Sequence, residues 1–185
     1  PFVYRVHEKP TEEKATAFRS FAQTLGLAAR FSAQDVKPYD YQNLLKSAEG
    51  MPSYSVLNRV MLRSMQKARY SQENAGHFGL ASKCYSHFTS PIRRYPDLMI
   101  HRIIKSSLHG ELTGGRLKKY RKLAIEAAEH SSETERMAIS LEREVEKMKK
   151  AEYMENHIGE VFDGVVSGIT AWGMYVELEN TVEGL

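Results

Sequence analysis

Cysteine is almost absent: Cys84 stands alone, so no disulfide can form within the chain. A lone cysteine of this kind is expected to serve as a small buried hydrophobe. Long apolar runs are missing too; none approaches the roughly 20 residues that cross a bilayer. The opening residues PFVYRVHEKP lack the charged, apolar and small-residue regions of a secretory leader. These absences lead us to expect a cytoplasmic protein with no membrane partner. The seven histidines, at 7, 77, 87, 101, 109, 130 and 157, show neither an H-E-x-x-H pattern nor Cys/His zinc spacing.

What is present is the balance of a globular protein, with 42% hydrophobic and 26% charged residues over 185 positions. That length holds one ordinary domain, or one domain and part of another. The net charge of +3 suits an RNA partner but suits many ordinary enzymes equally well.

Periodicity divides the chain. PFVYRV reads as a strand entered midway. Thr11, followed by Glu12 and Glu13, is an N-cap with an acidic first turn. Ala15, Phe18, Ala22 and Leu25 then recur at helical spacing until Gly26. A second helix is expected from about Tyr41 to Ala48. A third follows Pro52 and Ser53, with Val56, Leu57, Val60, Met61 and Met65 on one apolar face. Helical period fails from Gly76 to Tyr95 and returns with Leu98, Ile100, Ile103, Ile104 and Leu108. Arg116 to about Glu155 reads as one long helix or two abutting ones, its second half a solvated, charge-rich face. At Gly159 the period changes to two, the mark of a β-hairpin, and a domain boundary is placed at about residue 158. The chain is expected to stop, at TVEGL, after the second strand of that new sheet.

The segment richest in chemistry is Thr89-Ser90-Pro91-Ile92-Arg93-Arg94-Tyr95-Pro96-Asp97. Ser90 is an N-cap type and Pro91 suits a first helical position, so a helix is expected to start there, with Pro96 kinking or restarting it. Two arginines beside a helix N-terminus offer guanidinium forks and unpaired N–H groups, which together favour a phosphate. The other possibility is that Arg93 and Arg94 form structural pairs, for instance with Asp97. The basic run Arg116 to Lys122 could likewise track a phosphate backbone or be a plain solvated face.

The stretch GHFGLASKCYSHFTSPIRRYPDLMIHRIIK resembles the C-terminal part of the catalytic domain of the ribonuclease II/ribonuclease R (RNB) family. PFVYRVHEKP and MLRSMQKARYSQENAGHFGLA resemble it as well, and Pro96 with the GHFGLA context brings the ribonuclease R type nearer than ribonuclease II. GEVFDGVVSGITAWGMYVEL is similar to the opening of the ribosomal-protein S-one type OB domain that follows it in that family. The resemblance implies a mainly helical α+β fold: residues 1–158 as the C-terminal portion of an RNB catalytic domain, and 159–185 as the first strands of a truncated OB domain.

It implies, too, a processive 3′-to-5′ hydrolysis of single-stranded RNA to nucleoside 5′-monophosphates, with two Mg²⁺ ions. In the family those ions sit on clustered aspartates upstream of these motifs. Asp35, Asp40, Asp97 and Asp163 are scattered, so no metal site is expected in this chain and the isolated piece is expected to be inactive. By the same resemblance Arg93 matches the catalytic arginine at the scissile phosphate, and Arg94 a contact to the RNA backbone. Glu142 matches a glutamate near the product exit of ribonuclease II members. Trp172 and Tyr175 occupy positions on which bases stack in the OB domain, or else fill the barrel interior. No protein partner is indicated. Two rivals are a non-catalytic RNA-binding module and a helical interaction domain whose arginines are structural.

Overall fold

The computed structural model describes residues 1–178 and 183–184. The fold is α+β and mainly helical. Strand β1 (Tyr4–Val6) pairs antiparallel with β2 (Arg69–Ser71), Arg5 opposite Tyr70. Between them lie helices α1 (Glu12–Thr24), α2 (Pro38–Ser47) and α3 (Tyr54–Ser64). Thr11 caps α1 by accepting the Lys14 N–H, and Gly26, at φ +78°, turns the chain out of it in the left-handed region that favours glycine. Helix α2 starts three residues earlier than its apolar pattern suggests. Pro38 fills the first turn without needing an N–H, and Asp40 reaches back to the Lys37 N–H.

Two separate hydrophobic clusters hold this part of the chain. One gathers Phe18, Phe31, Tyr41, Leu57, Met61 and Phe78 from α1, α2, α3 and the loops beside them. Its aromatic rings meet edge to face, Phe18 on Tyr41 at 4.8 Å and Tyr41 on Phe78 at 5.6 Å. The other cluster brings Val3 and Tyr70, on and beside the strand pair, against Met99 and Ile100 of α4 (Tyr95–Leu108). Ala124, Ala127 and Ala128 of α5 (Gly114–Glu155) complete it.

Helix α5 is one continuous helix. The chain divides into two compact units within it, Pro1–Thr134 and Glu135–Leu185. In the second unit, β3 (Gly164–Thr170) and β4 (Gly173–Leu178) form the expected hairpin, with a register shift between Val166 and Gly168. A two-residue strand β5 (Glu183–Gly184) adds to β4, so the sheet has three strands where the pattern suggested two. The remainder of the closing TVEGL stretch, Thr181, Val182 and Leu185, lies outside the described residues. Among the described residues no helix is long and apolar enough to cross a membrane.

Candidate functional site

The segment from Ser82 to Arg94 is irregular yet held at several points. It runs beside β1, where the Arg5 N–H donates to the Tyr85 carbonyl at 2.9 Å and Ser86 Oγ donates to the Val3 carbonyl at 3.0 Å. Tyr70 Oη and His87 Nδ1 are hydrogen-bonded at 2.9 Å. His101, on α4, donates through Nε2 to the Phe88 carbonyl at 2.9 Å, and its ring stacks on Phe88 at 4.2 Å. Cys84 falls on this surface segment and is exposed, contrary to the expectation of burial. Its neighbours Lys83 and Tyr85 are exposed with it, so this part of the segment lies on the surface, which composition alone does not reveal.

The expected helix start at Ser90 is replaced by a turn. The Ser90 carbonyl accepts both the Arg93 and the Arg94 N–H, at 3.3 and 3.0 Å, and α4 begins only at Tyr95 with Pro96 in its first turn. Pro96 thus restarts the helix rather than kinking one already under way. Arg94, the N-cap, is the extended residue, at φ −126° and ψ 108°.

This turn separates the two arginines. Arg94 donates through Nε and Nη2 to Asp97 Oδ2 at 3.2 and 2.9 Å. Asp97 is fully buried, and the same oxygen accepts the Ser90 N–H at 2.8 Å. Arg93 is exposed, and its side chain has no hydrogen-bond or ion-pair partner among the described residues. Its neighbour Ile92 is fully exposed, at 102%. Of the two readings left open by the sequence, structural pairing therefore holds for Arg94 and not for Arg93.

A histidine group lies behind the loop. His7 is buried and its Nδ1 accepts the Gly79 N–H at 3.2 Å; a Cβ at Gly79 would come within 2.9 Å of that nitrogen, so glycine is needed for the approach. His77 meets His7 edge to face at 5.0 Å, and Tyr85 packs on His77 at 5.2 Å. Burial lowers the His7 pKa below the ordinary histidine value; a backbone contact from Gln66 opposes this and the Arg5 charge adds to it. The His77 pKa is lowered first by burial, then by His7 and Arg5. Arg5 itself lies over the Tyr70 ring at 4.7 Å. These histidines favour the neutral form and act here as packing and hydrogen-bonding groups.

In the second unit, Glu142 is exposed on α5 and makes no ion pair among the described residues. Trp172 sits in the β3–β4 turn, 90% exposed, with its N–H donating to Thr170 Oγ1 at 3.3 Å. Tyr175 is half-buried in β4, opposite Gly168. The two aromatics thus differ in setting, one on a turn and one within the sheet.

The aspartates do not converge. Asp35 pairs with Lys37 on the surface, Asp40 caps α2, Asp97 is engaged by Arg94 and Ser90, and Asp163 is exposed. Among the described residues no three acidic, histidine or cysteine side chains are grouped as a metal would require. The described residues do not fit a two-metal centre.

The family model described as the RNB domain matches residues 1–110. Ribonuclease R 1 of Lactococcus lactis subsp. lactis is 49% identical over 185 residues, covering all of this chain and 23% of that protein. The solved structure of Mycoplasma genitalium RNase R in complex with ribose methylated single-stranded RNA superposes with a TM-score of 0.92 at 30% identity. It covers the whole of this chain and 29% of that one. The structure of yeast Ssd1, a pseudonuclease, shares the fold with a TM-score of 0.64 at 22% identity, over 98% of this chain and 23% of that one. The chain spans about a quarter of the length of the curated relatives it matches. A matched model over more than half of its residues, on a fold shared with RNase R, places this chain in the RNB domain family.

Proposed function

We propose that this chain is the C-terminal part of the catalytic region of a 3′-to-5′ exoribonuclease that hydrolyses single-stranded RNA to nucleoside 5′-monophosphates. Arg93 is its catalytic residue. The observation that carries this reading is the turn itself, which leaves the Arg93 guanidinium exposed and without a partner among the described residues, while Arg94 and the Ser90 N–H are held by Asp97. A planar, permanently charged fork suits the oxygens of a scissile phosphate, and its donors stabilise the charge that builds on them as the bond breaks. With Nε and one Nη2 hydrogen given to Asp97, Arg94 keeps the two Nη1 hydrogens and the second Nη2 hydrogen to offer an RNA backbone.

The metal chemistry comes from elsewhere in the intact protein. Mg²⁺ would there supply the attacking hydroxide and polarise the phosphate. No step in this chain runs through it, because its residues do not fit such a centre, and the chain alone is expected to be inactive. Residues 1–158 are read as catalytic domain and 159–185 as the opening of an OB domain, with Trp172 and Tyr175 as base-stacking side chains and Glu142 near the product exit. An exposed indole on a β-turn is consistent with that use. A cytoplasmic location goes with this reading.

The rival is a non-catalytic RNA-binding protein, and the fold is compatible with it, since a pseudonuclease shares that fold. Arg93→Ala in the full-length protein separates the two. With single-stranded RNA and Mg²⁺, the single-turnover rate should fall by about 100-fold or more, while RNA affinity changes only a few-fold. Equal losses in rate and affinity would make Arg93 a binding residue only.

A further inference from the structure

Asp97 is a costly residue to bury. Its carboxylate is fully excluded from solvent, and Oδ1 has no hydrogen-bond partner among the described residues. A buried ion pair of this kind commonly adds little stability over an apolar replacement, because desolvation offsets the attraction. Its placement is better explained by what Oδ2 organises.

That single oxygen accepts the Ser90 N–H and two N–H groups of Arg94. The Ser90 carbonyl in turn accepts the Arg93 and Arg94 N–H groups. Both ends of the turn are therefore fixed to one carboxylate at the start of α4, and Pro91 fixes φ between them. Within Ser90–Arg94, the side chains that point out of this network are Ile92 and Arg93, both exposed.

We propose that Asp97 is a positioning residue for catalysis: it holds the Ser90–Arg94 turn in the one conformation that presents the Arg93 guanidinium to the scissile phosphate, with Arg94 as its counter-ion. This rests on the reading of Arg93 given above. A flexible turn would leave the guanidinium spread over many positions, and a displacement of about 1 Å in a reacting group can cost on the order of 100-fold in rate.

The test is a double-mutant cycle in the full-length enzyme with single-stranded RNA and Mg²⁺, read by single-turnover rate and by RNA affinity. Asp97→Asn keeps the shape and one acceptor oxygen but removes the charge that holds Arg94. It should slow cleavage about tenfold or more while affinity stays within about threefold. In an Arg93→Ala background the same substitution should change the rate less than about twofold, because the group being positioned is gone. The same proportional loss in both backgrounds would overturn the proposal and leave the role of Arg93 standing. A wild-type rate for Arg93→Ala alone would instead remove the functional reading, and this proposal with it. Should Asp97→Asn fail to fold, Arg94→Lys replaces it in the cycle: it keeps the charge but cannot make the paired contact, and additive losses would again overturn the proposal.

Discussion

The two halves of α5 use the same helix in opposite ways. In the first half, Ala124, Ala127, Ala128 and Ser132 are buried, and the alanines join Val3, Tyr70, Met99 and Ile100 in one cluster. In the second half, every residue from 136 to 149 is exposed, including Met137, Leu141, Val145 and Met148 at helical spacing. The buried alanines pack against that cluster, and the contact fixes the place of the first half. The second half has apolar side chains too, but leaves them exposed among the described residues. Its order rests on helix propensity, on local pairs such as Lys149 with Glu152, and on continuity with the anchored half. An apolar stripe in a sequence is thus no measure of burial by itself.

The comparison breaks most sharply at the aromatic cluster. Phe18 is 1% exposed and packs on Tyr41, which also carries Phe31 and Phe78. Phe18→Ala should destabilise the first unit by about 3–5 kcal/mol, measured by chemical denaturation. Met148→Ala, in the exposed half of α5, should stay within about 0.5 kcal/mol of the parent by the same measurement. Similar losses at both sites would mean that the second half of α5 is packed after all.

A smaller effect is expected where a polar contact joins α5 to the sheet. Ser132 Oγ accepts the buried Tyr70 N–H at 2.9 Å and donates to the Ala128 carbonyl at 2.7 Å. Ser132→Ala strands that N–H inside the protein, a cost of about 1–3 kcal/mol. Hydrogen exchange should show the loss at the Tyr70 amide before it shows at the hairpin of the second unit. Unchanged Tyr70 protection would place the anchor of α5 in its alanines alone.

These contacts also mark the limit of what the sequence discloses. The start and stop of α1 and the start of α3 were legible because their signals are local: the Thr11 hydroxyl, the acidic first turn and Gly26 for α1, and Pro52 with Ser53 for α3. The start of α4 was not. Ser90 and Pro91 have the local chemistry of a helix N-terminus, but the Ser90 N–H is claimed by a carboxylate seven residues on, and a turn wins. The spacing of Arg94 and Asp97 made an ion pair conceivable for either arginine; which one is free depends on turn geometry that no local rule supplies. The pairing of β1 with β2 joins residues more than sixty positions apart, and the segment that carries Cys84 is tied to β1 from about eighty positions away. RNB membership was legible in TSPIRRYPD and its flanks, whereas the hub that orients Arg93 became visible only with the coordinates.

The smallest effect on stability is expected at Trp172, and there the two regions separate by purpose. Its side chain is 90% exposed, so removing it leaves no cavity, and Trp172→Ala should move the folding free energy by no more than about 0.5 kcal/mol. If this surface meets RNA as proposed, the same substitution in the full-length protein should weaken single-stranded RNA binding by about 1–3 kcal/mol through the loss of one stacked base. Stacking tolerates any base, so the loss should be similar for pyrimidine and purine strands. Fluorescence anisotropy with a short labelled RNA reads the binding, and thermal melting reads the fold. Loss of stability with RNA binding unchanged would make Trp172 part of a barrel interior, the alternative left open by the sequence. The pattern proposed here is the reverse: a side chain that the fold can spare because its work is done on a partner.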